Sequence, residues 1–277
     1  IYALKNSNKG YSYSLSLKAE KSFDFGLDLA ASYTFTQSKS LCPATSSQAA
    51  SNWNNTSTYR FSNAPELGYS AYNLPHMIKA SAFYRFHIAN NKNFTTTIGV
   101  IYQGRSGSPY SMLYSGDLNG DNGRGNDLMF IPTDEQIDLM PFKAQGNYTE
   151  ELQRQNLKAW LAKTPYLKDH RGEYFKRNAD NLPFENHFDF HVAEKMSVKV
   201  GKQVHSLELS LDILNVGNLL NKDWGRTYGT TYSNELISPL TYDGGKFQFL
   251  STPDYVIKYP QSYYSRWRGQ LGLKYTF

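Results

Sequence analysis

The sequence predicts an all-β fold, a transmembrane antiparallel β-barrel with long extracellular loops, to which this chain contributes about seven C-terminal strands. Apolar and polar residues alternate along seven segments, as expected for strands with one face in lipid and the other in water. Short and long connections between these segments alternate strictly, as in bacterial barrels. The chain also ends in an alternating segment whose last residue is aromatic.

The closing segment, Ser265 to Phe277, shows the clearest alternation. One face is apolar and consists of Trp267, Gly269, Leu271, Leu273, Tyr275 and Phe277. The other face is polar and carries Arg266, Arg268, Gln270, Lys274 and Thr276. A strand of a soluble β-sandwich, the alternative, usually ends in polar residues, whereas here the apolar face reaches the terminus. We therefore expect the apolar face to meet the lipid of a Gram-negative outer membrane.

Six further segments show the same alternation and form three predicted hairpins. Their bounds are Gly10–Phe23 with Leu27–Phe35, Ile78–Ile88 with Phe94–Tyr102, and Phe188–Val192 with Leu207–Ile213. The connections within each hairpin are short, whereas Gln37–Asn73, Gly104–Pro183 and Asn215–Tyr264 are long and polar. Short turns face the periplasm in such barrels, so the long connections are expected outside the cell.

Seven strands are an odd number, whereas single-chain bacterial barrels use an even one. Two further strands, Gly244–Leu250 pairing with Arg226–Ser233, would leave the number odd. The first residues also lack the charged and apolar regions of a signal peptide, which an outer-membrane protein requires. We therefore interpret residues 1–277 as the C-terminal part of a larger barrel domain.

Composition excludes several other classes of protein. The mean hydropathy of −0.58 and the absence of a run of about 20 apolar residues argue against transmembrane helices. The net charge of +5 comes without a dense basic cluster, so no nucleic-acid partner is expected. The single cysteine, Cys42, rules out an internal disulfide. No nucleophile with a suitable base and no phosphate-binding loop is evident, so we expect no enzymatic activity.

Three stretches resemble a known family: Tyr114–Pro132, Leu211–Gly225 and the closing segment. Together they are similar to the C-terminal part of a TonB-dependent receptor of the Bacteroidetes, closest to the Oar-like group and more distantly to the SusC/RagA group. The resemblance implies a barrel of about 22 strands, an N-terminal plug domain and a TonB box through which TonB supplies energy. It also implies that Leu271, Leu273, Tyr275 and Phe277 form the signal read by the barrel-assembly machinery.

An acidic stretch from Asp117 to Asp127 is the one candidate metal site. Its oxygen-bearing side chains are Asp117, Asn119, Asp121 and Asp127. Such a set could surround Ca²⁺, but Leu128 stands where an EF-hand loop has a bidentate Glu. The alternative is a turn cluster whose carboxylates cap backbone N–H groups. The sequence leaves both interpretations open.

Two other features have simpler interpretations. His187 and His191 fall on one face and His205 on the other, which predicts solvated or interfacial histidines and no metal site. Thr149–Lys163 has apolar residues at helical spacing, with Asn147 as a possible N-cap. We expect a helix packed on an extracellular loop.

Two classes of function follow. The first is a TonB-dependent transporter that takes up a scarce small molecule, glycan or peptide. The second is a structural or adhesive surface barrel, with a passive porin as a further alternative. The ligand itself is not predicted.

Overall fold

The dominant element of the molecule is a sheet of seven long strands. We describe it from a computed structural model for residues 5–123, 125–229, 236–250, 259–260 and 262–277. The strands are β1 Tyr11–Ser22, β2 Leu27–Ser40, β4 His76–Phe86, β5 Phe94–Arg105, β8 Glu185–Val200, β9 Gln203–Leu214 and β14 Arg268–Thr276. They follow the order β1-β2-β4-β5-β8-β9-β14, and every neighbouring pair is antiparallel. The seven predicted strands are therefore confirmed.

We call this sheet the wall. Its edges are β1 and β14, which do not pair with each other, so the strands form an open sector of a barrel. Five strands, β2, β4, β5, β8 and β9, extend beyond their predicted bounds. The longest, β8, has 16 residues, more than the 9–11 or so that a tilted strand needs to cross lipid.

The register of the wall separates an apolar from a polar face. Leu271 pairs with Leu211, and Leu211 with Val192. One position along, Gln270 pairs with Asp212, and Asp212 Oδ1 lies 2.7 Å from His191 Nδ1. Because pairing partners point to the same side, the alternation within each strand becomes two continuous surfaces.

One carboxylate lies on the apolar face of the wall. Glu194 is the pairing partner of Thr96 and Leu209, and the Thr96 hydroxyl donates to Glu194 Oε2 at 2.5 Å. The alternation predicts an apolar residue at position 194. The hydrogen bond from Thr96 partly offsets the cost of placing a carboxylate there.

The connections at one end of the wall are tight turns. They follow β1, β4 and β8, and the middle one contains a short 3₁₀ helix, Ile88–Asn90. Gly26 has φ +95°, and a Cβ at this position would come 2.1 Å from the Arg85 carbonyl oxygen. The close approach of β4 therefore requires glycine.

The connections at the other end span residues 41–75, 106–184 and 215–267, and their described residues form what we call the loop layer. Its strands are β3 Gly68–Tyr69, β6 Pro109–Ser115, β7 Asp180–Asn181, β10 Tyr228–Gly229, β11 Leu236–Asp243, β12 Lys246–Gln248 and β13 Tyr259–Pro260. Its helices are α1 Ala49–Asn54, α2 Asp134–Leu139, α3 Glu150–Lys163, α4 Pro165–Asp169, α5 Val216–Leu220 and α6 Ser262–Ser265. A small sheet of order β12-β11-β6-β7 organises the layer.

The hydrophobic core of the described residues lies in the loop layer. Its fully buried large side chains include Tyr110, Met112, Met129, Ile131, Phe142, Leu157, Leu161 and Phe175. The wall contributes little to it, because the wall side chains point alternately to its two surfaces. The loops are thus a folded unit with its own core.

Local sequence explains the helices of this layer. In α3, Leu157, Trp160 and Leu161 share one face and are buried, which confirms the predicted helix. Its N-cap is Thr149, whose side chain accepts from the Leu152 N–H. The expected cap at Asn147 is therefore wrong, because the helix begins two residues later.

The possible pairing of Gly244–Leu250 with Arg226–Ser233 is not found among the described residues. Lys246–Gln248 pairs with β11, and Tyr228 pairs with Pro260. Residues 230–233 of the expected strand lie outside the described residues. The Gly244-Gly245 turn, with both residues at positive φ, connects β11 directly to β12.

No helix in the described part of the chain is long and apolar enough to cross a membrane.

Asn215 joins the wall to the loop layer. It has left-handed backbone geometry, which asparagine tolerates better than most residues. Its side-chain amide donates to the Gly225 carbonyl at 2.8 Å and to the Ser265 carbonyl at 3.0 Å. Its backbone N–H donates to Asp189 Oδ1 at 2.7 Å. These bonds tie β8, the loop after β9 and the segment just before β14 together.

Candidate functional site

The four candidate ligands of the acidic stretch lie in one turn after β6. Asp127 is the most buried of them, with 3% exposure. Its Oδ2 accepts the backbone N–H groups of Leu118 at 2.6 Å and Asn119 at 3.3 Å. Its Oδ1 accepts the Asn119 side-chain amide at 2.6 Å. Asp127 therefore closes the turn from its C-terminal end.

The other three side chains cap N–H groups within the turn. Asp117 accepts from Gly120 at 2.8 Å and from Asn122 at 3.0 Å. Asn119 Oδ1 accepts from the Asp121 N–H at 2.9 Å, and Asp121 Oδ1 from the Gly123 N–H at 2.8 Å. These are Asx-type turns, in which a short side chain replaces a backbone acceptor.

This geometry corresponds to the capping interpretation of the acidic stretch. Each carboxylate or amide oxygen of Asp117, Asn119, Asp121 and Asp127 accepts at least one hydrogen bond. Within the described ranges, no group of three or more His, Cys, Asp or Glu side chains is arranged to hold a metal ion. The calcium site remains a prediction.

The pKa values of Asp127 and Asp121 are shifted in opposite directions. Burial raises the pKa of Asp127, with Asp117 and Asp121 adding repulsion against the N–H groups that favour its charged form. For Asp121, burial acts in the same direction but is outweighed by the backbone N–H groups of Ser62 and Gly123, so its pKa is lowered. The N–H donors thus favour the charged form of Asp121.

The acidic turn also holds a segment of the first loop. Asp121 Oδ2 accepts the Ser62 N–H at 2.7 Å, and the Asn119 amide donates to the Arg60 carbonyl at 2.6 Å. Thr58 exchanges backbone hydrogen bonds across Asp127, accepting from Leu128 and donating to Asn126. The turn is therefore a docking point between two loops. Sequence reasoning missed this role, since nothing in the spacing links the two segments.

Replacement of Asp117 and Asp121 by alanine tests the capping role. The double variant loses four hydrogen bonds to backbone N–H groups, each contributing roughly 0.5–1.5 kcal/mol. We expect faster proteolysis between residues 116 and 128, in chelator as well as in calcium. Asp243→Ala, in the exposed β11–β12 turn, is the matched control. Cleavage that slows only when calcium is added to the unaltered protein would identify a metal site instead.

The predicted assembly residues lie on the edge strand of the wall. Leu271, Leu273 and Tyr275 are exposed on the apolar face of β14, and Phe277 follows directly with 80% exposure. The Tyr275 and Phe277 rings stack with their centroids 5.9 Å apart. An apolar ridge thus runs along the edge strand β14, which pairs with β9 on one side only, to the terminus.

The histidines of the wall form no metal centre among the described residues. His191 pairs with Asp212 on the polar face, and His187 lies 3.2 Å from the Thr227 hydroxyl. His205 is on the opposite face and contacts the Tyr275 hydroxyl at 2.6 Å. The predicted assignment of the three residues to two faces is confirmed.

Comparison with known proteins identifies a family but no individual relative. Residues 1–235 match the family model described as outer membrane beta barrel domain. No curated protein and no solved structure gives a significant match.

Proposed function

Because the chain belongs to the outer membrane β-barrel domain family, and so to the outer membrane, we propose that it is part of a TonB-dependent transporter. In this proposal the apolar face of the wall meets lipid, and the loop layer faces the outside. The wall is the C-terminal sector of a barrel of about 22 strands, and such barrels have a plugged lumen.

The folded loop layer is the observation that carries this proposal. A surface for capturing a scarce ligand has to hold its binding groups in place. Here the loops have their own sheet, helix caps and buried core, including Phe142 and Phe175. The open wall adds support, since its edges β1 and β14 need further strands before lipid can surround them.

Dependence of uptake on energy tests the proposal. Cells carrying the complete gene should accumulate ligand only while the inner membrane is energised, because a plugged lumen offers no passive route. Deletion of the TonB box should leave surface binding intact and abolish import. Binding and import can be followed separately with a labelled mixture of candidate solutes, before and after addition of a protonophore.

The same experiment distinguishes the two alternatives. Import that continues without energy would indicate a passive porin. Binding without import under any condition would indicate an adhesive or structural barrel. Either result would contradict the transporter.

We further propose that the end of β14 is the signal recognised by the barrel-assembly machinery. The exposed apolar ridge from Leu271 to Phe277 on a strand with one free edge supports this, since such an edge can be recognised by strand pairing. Removal of Phe277 should deplete the protein from the outer membrane, measured by fractionation and immunoblotting. Thr276→Ser, on the other face, is the control. Undiminished insertion without Phe277 would count against the proposal.

A further inference from the structure

A groove crosses the apolar face of the wall over β1, β2, β4 and β5. Its volume is about 460 Å³, within the range of small-molecule sites. Along its middle runs a row of paired residues, in which Ala30 pairs with Glu20 on one side and with Ser81 on the other. The side chains of this row point to the polar face, so the floor of the groove is sheet backbone.

Small side chains make this part of the apolar face concave. One side of the groove consists of Ala19, Ala31, Ala80 and Tyr102, which pair in that order across four strands. The other side consists of Lys21, Leu29, Ala82 and Val100, paired in the same order. Ala19, Ala31, Leu29 and Val100 are all exposed. A molecule in the membrane can therefore contact both sides of the groove.

The groove rises from the periplasmic end of the wall into the membrane. Lys21 is the last residue but one of β1, just before a tight turn, whereas Val100 lies six positions after Phe94, the first residue of β5. Three spacings between neighbouring strands give the groove a length of about 14 Å. That length is close to half of the roughly 30 Å hydrocarbon core. The groove thus has the direction and length of a lipid chain in the periplasmic leaflet.

Lys21 places a positive charge at the periplasmic end of the groove. Its Nζ lies 5.7 Å from the centroid of the Phe23 ring, so its aliphatic part runs along apolar surface toward the turn. Aromatic rings cluster there, with centroids 5.3 Å apart for Phe23 and Phe25 and 5.5 Å apart for Tyr84 and Phe86. Because aromatic girdles mark the membrane interface, the ammonium group lies at the level of lipid head groups.

The charge of Lys21 is not neutralised by an ion pair with any described residue. The neighbouring ion pairs, Lys18 with Glu20 and Arg85 with Asp28, lie on the polar face. Glu194, the carboxylate on the apolar face, belongs to β8, four strands away from β1. The start of the groove is therefore complementary to an anion.

We propose that this groove binds an anionic phospholipid of the periplasmic leaflet, with one acyl chain in the groove and the phosphate at Lys21. The apolar sides and the length of the groove select a lipid chain, and the unpaired lysine selects a negative head group. The proposal requires only that the apolar face meets lipid. It therefore holds whether the barrel imports, adheres or conducts.

Photo-crosslinking of the complete protein in phosphatidylcholine vesicles tests this site. One preparation contains a small fraction of phosphatidylglycerol and the other the same fraction of phosphatidylethanolamine, each with a diazirine in one acyl chain. Labelled peptides are identified by mass spectrometry. Phosphatidylglycerol should label residues 19–31 and 80–102 about fivefold more than phosphatidylethanolamine, the effect expected of one lysine on an anionic lipid. Residues 207–213 of β9 are the internal reference, where the two lipids should label equally.

Lys21→Gln should abolish the preference for phosphatidylglycerol, and Lys21→Arg should retain it. Lys39→Gln is the matched control, because Lys39 lies on the same face at the opposite end of β2, paired with Tyr11. It should leave the preference within about twofold. Ala31→Leu places a larger side chain in the middle of the groove. It should reduce labelling of residues 80–102 to the level of β9, although Lys21 is still present.

The proposal is overturned if the two lipids label the groove equally, if Lys21→Gln or Ala31→Leu is labelled as the unaltered protein is, or if Lys39→Gln acts as Lys21→Gln does. The comparison of the two lipids on the unaltered protein stands alone if Lys21→Gln fails to fold. A groove that neither lipid labels, beside a labelled β9, would also overturn the proposal, since protein would then cover the groove.

Discussion

Leu271→Arg is expected to lower the free energy of unfolding by roughly 2–4 kcal/mol, the cost of an arginine at the bilayer midplane on the lipid face of a barrel. Leu271 is 76% exposed on the apolar face of β14. It lies four residues from Trp267 and four from Tyr275, aromatic residues of the kind that mark the two membrane interfaces. The arginine side chain would therefore lie in the hydrocarbon region, away from both membrane interfaces.

Gln270→Arg is the matched control for this prediction. Gln270 is the neighbouring residue on the polar face, paired with Asp212, and an arginine there remains in water. We expect a change of under about 0.5 kcal/mol. Both variants are measured by urea titration of the complete protein refolded into lipid vesicles. Equal losses at the two positions would contradict the assignment of faces.

Phe175→Ala should destabilise the loop layer by roughly 3–5 kcal/mol, as for other fully buried phenylalanines. Its ring has no exposed area and packs against Tyr166 and Tyr110, with centroid distances of 4.6 and 6.0 Å. The loss should appear as faster amide exchange across residues 110–182.

The wall serves as an internal reference in that experiment. Exchange within β4 and β5 should remain slow, because their hydrogen bonds belong to a separate sheet. Leu139→Ala, with 84% of its side chain exposed at the end of α2, should change little. Loss of protection in wall and loops together would show that the loop layer does not fold as its own unit.

The acidic stretch shows how much of a candidate site the local sequence pattern can predict. Its composition predicted a compact turn built on Asp117, Asn119, Asp121 and Asp127, and the structure has that turn. The pattern left open whether a cation or N–H groups satisfy the carboxylates, because both need the same residues at similar spacing. Only the folded molecule shows which N–H groups reach these oxygens, including the Ser62 N–H from another loop.

A cleft of about 330 Å³ between the first and second loops of the loop layer could not be predicted from the sequence, for a related reason. Glu66 and Tyr59 come from the first loop, whereas Tyr174 and Arg177 come from the second. No periodicity connects these segments, and each residue alone is typical of a polar loop. The cleft exists only where the two loops pack together, which is a property of the folded molecule.

The sequence by itself determined the wall: its seven strands, its two faces, the alternation of short and long connections and its place in the outer membrane. It could do so because strand periodicity and turn chemistry are local. A lipid-facing surface requires an apolar residue at every second position along each strand. The tertiary structure alone decided the loop layer. Its central pairing joins Ser111 to Leu236, and its core combines side chains from distant segments. These contacts join residues that are far apart in the sequence, and they are stabilised by buried surface and hydrogen bonds between loops. Patterns among neighbouring residues therefore do not predict them.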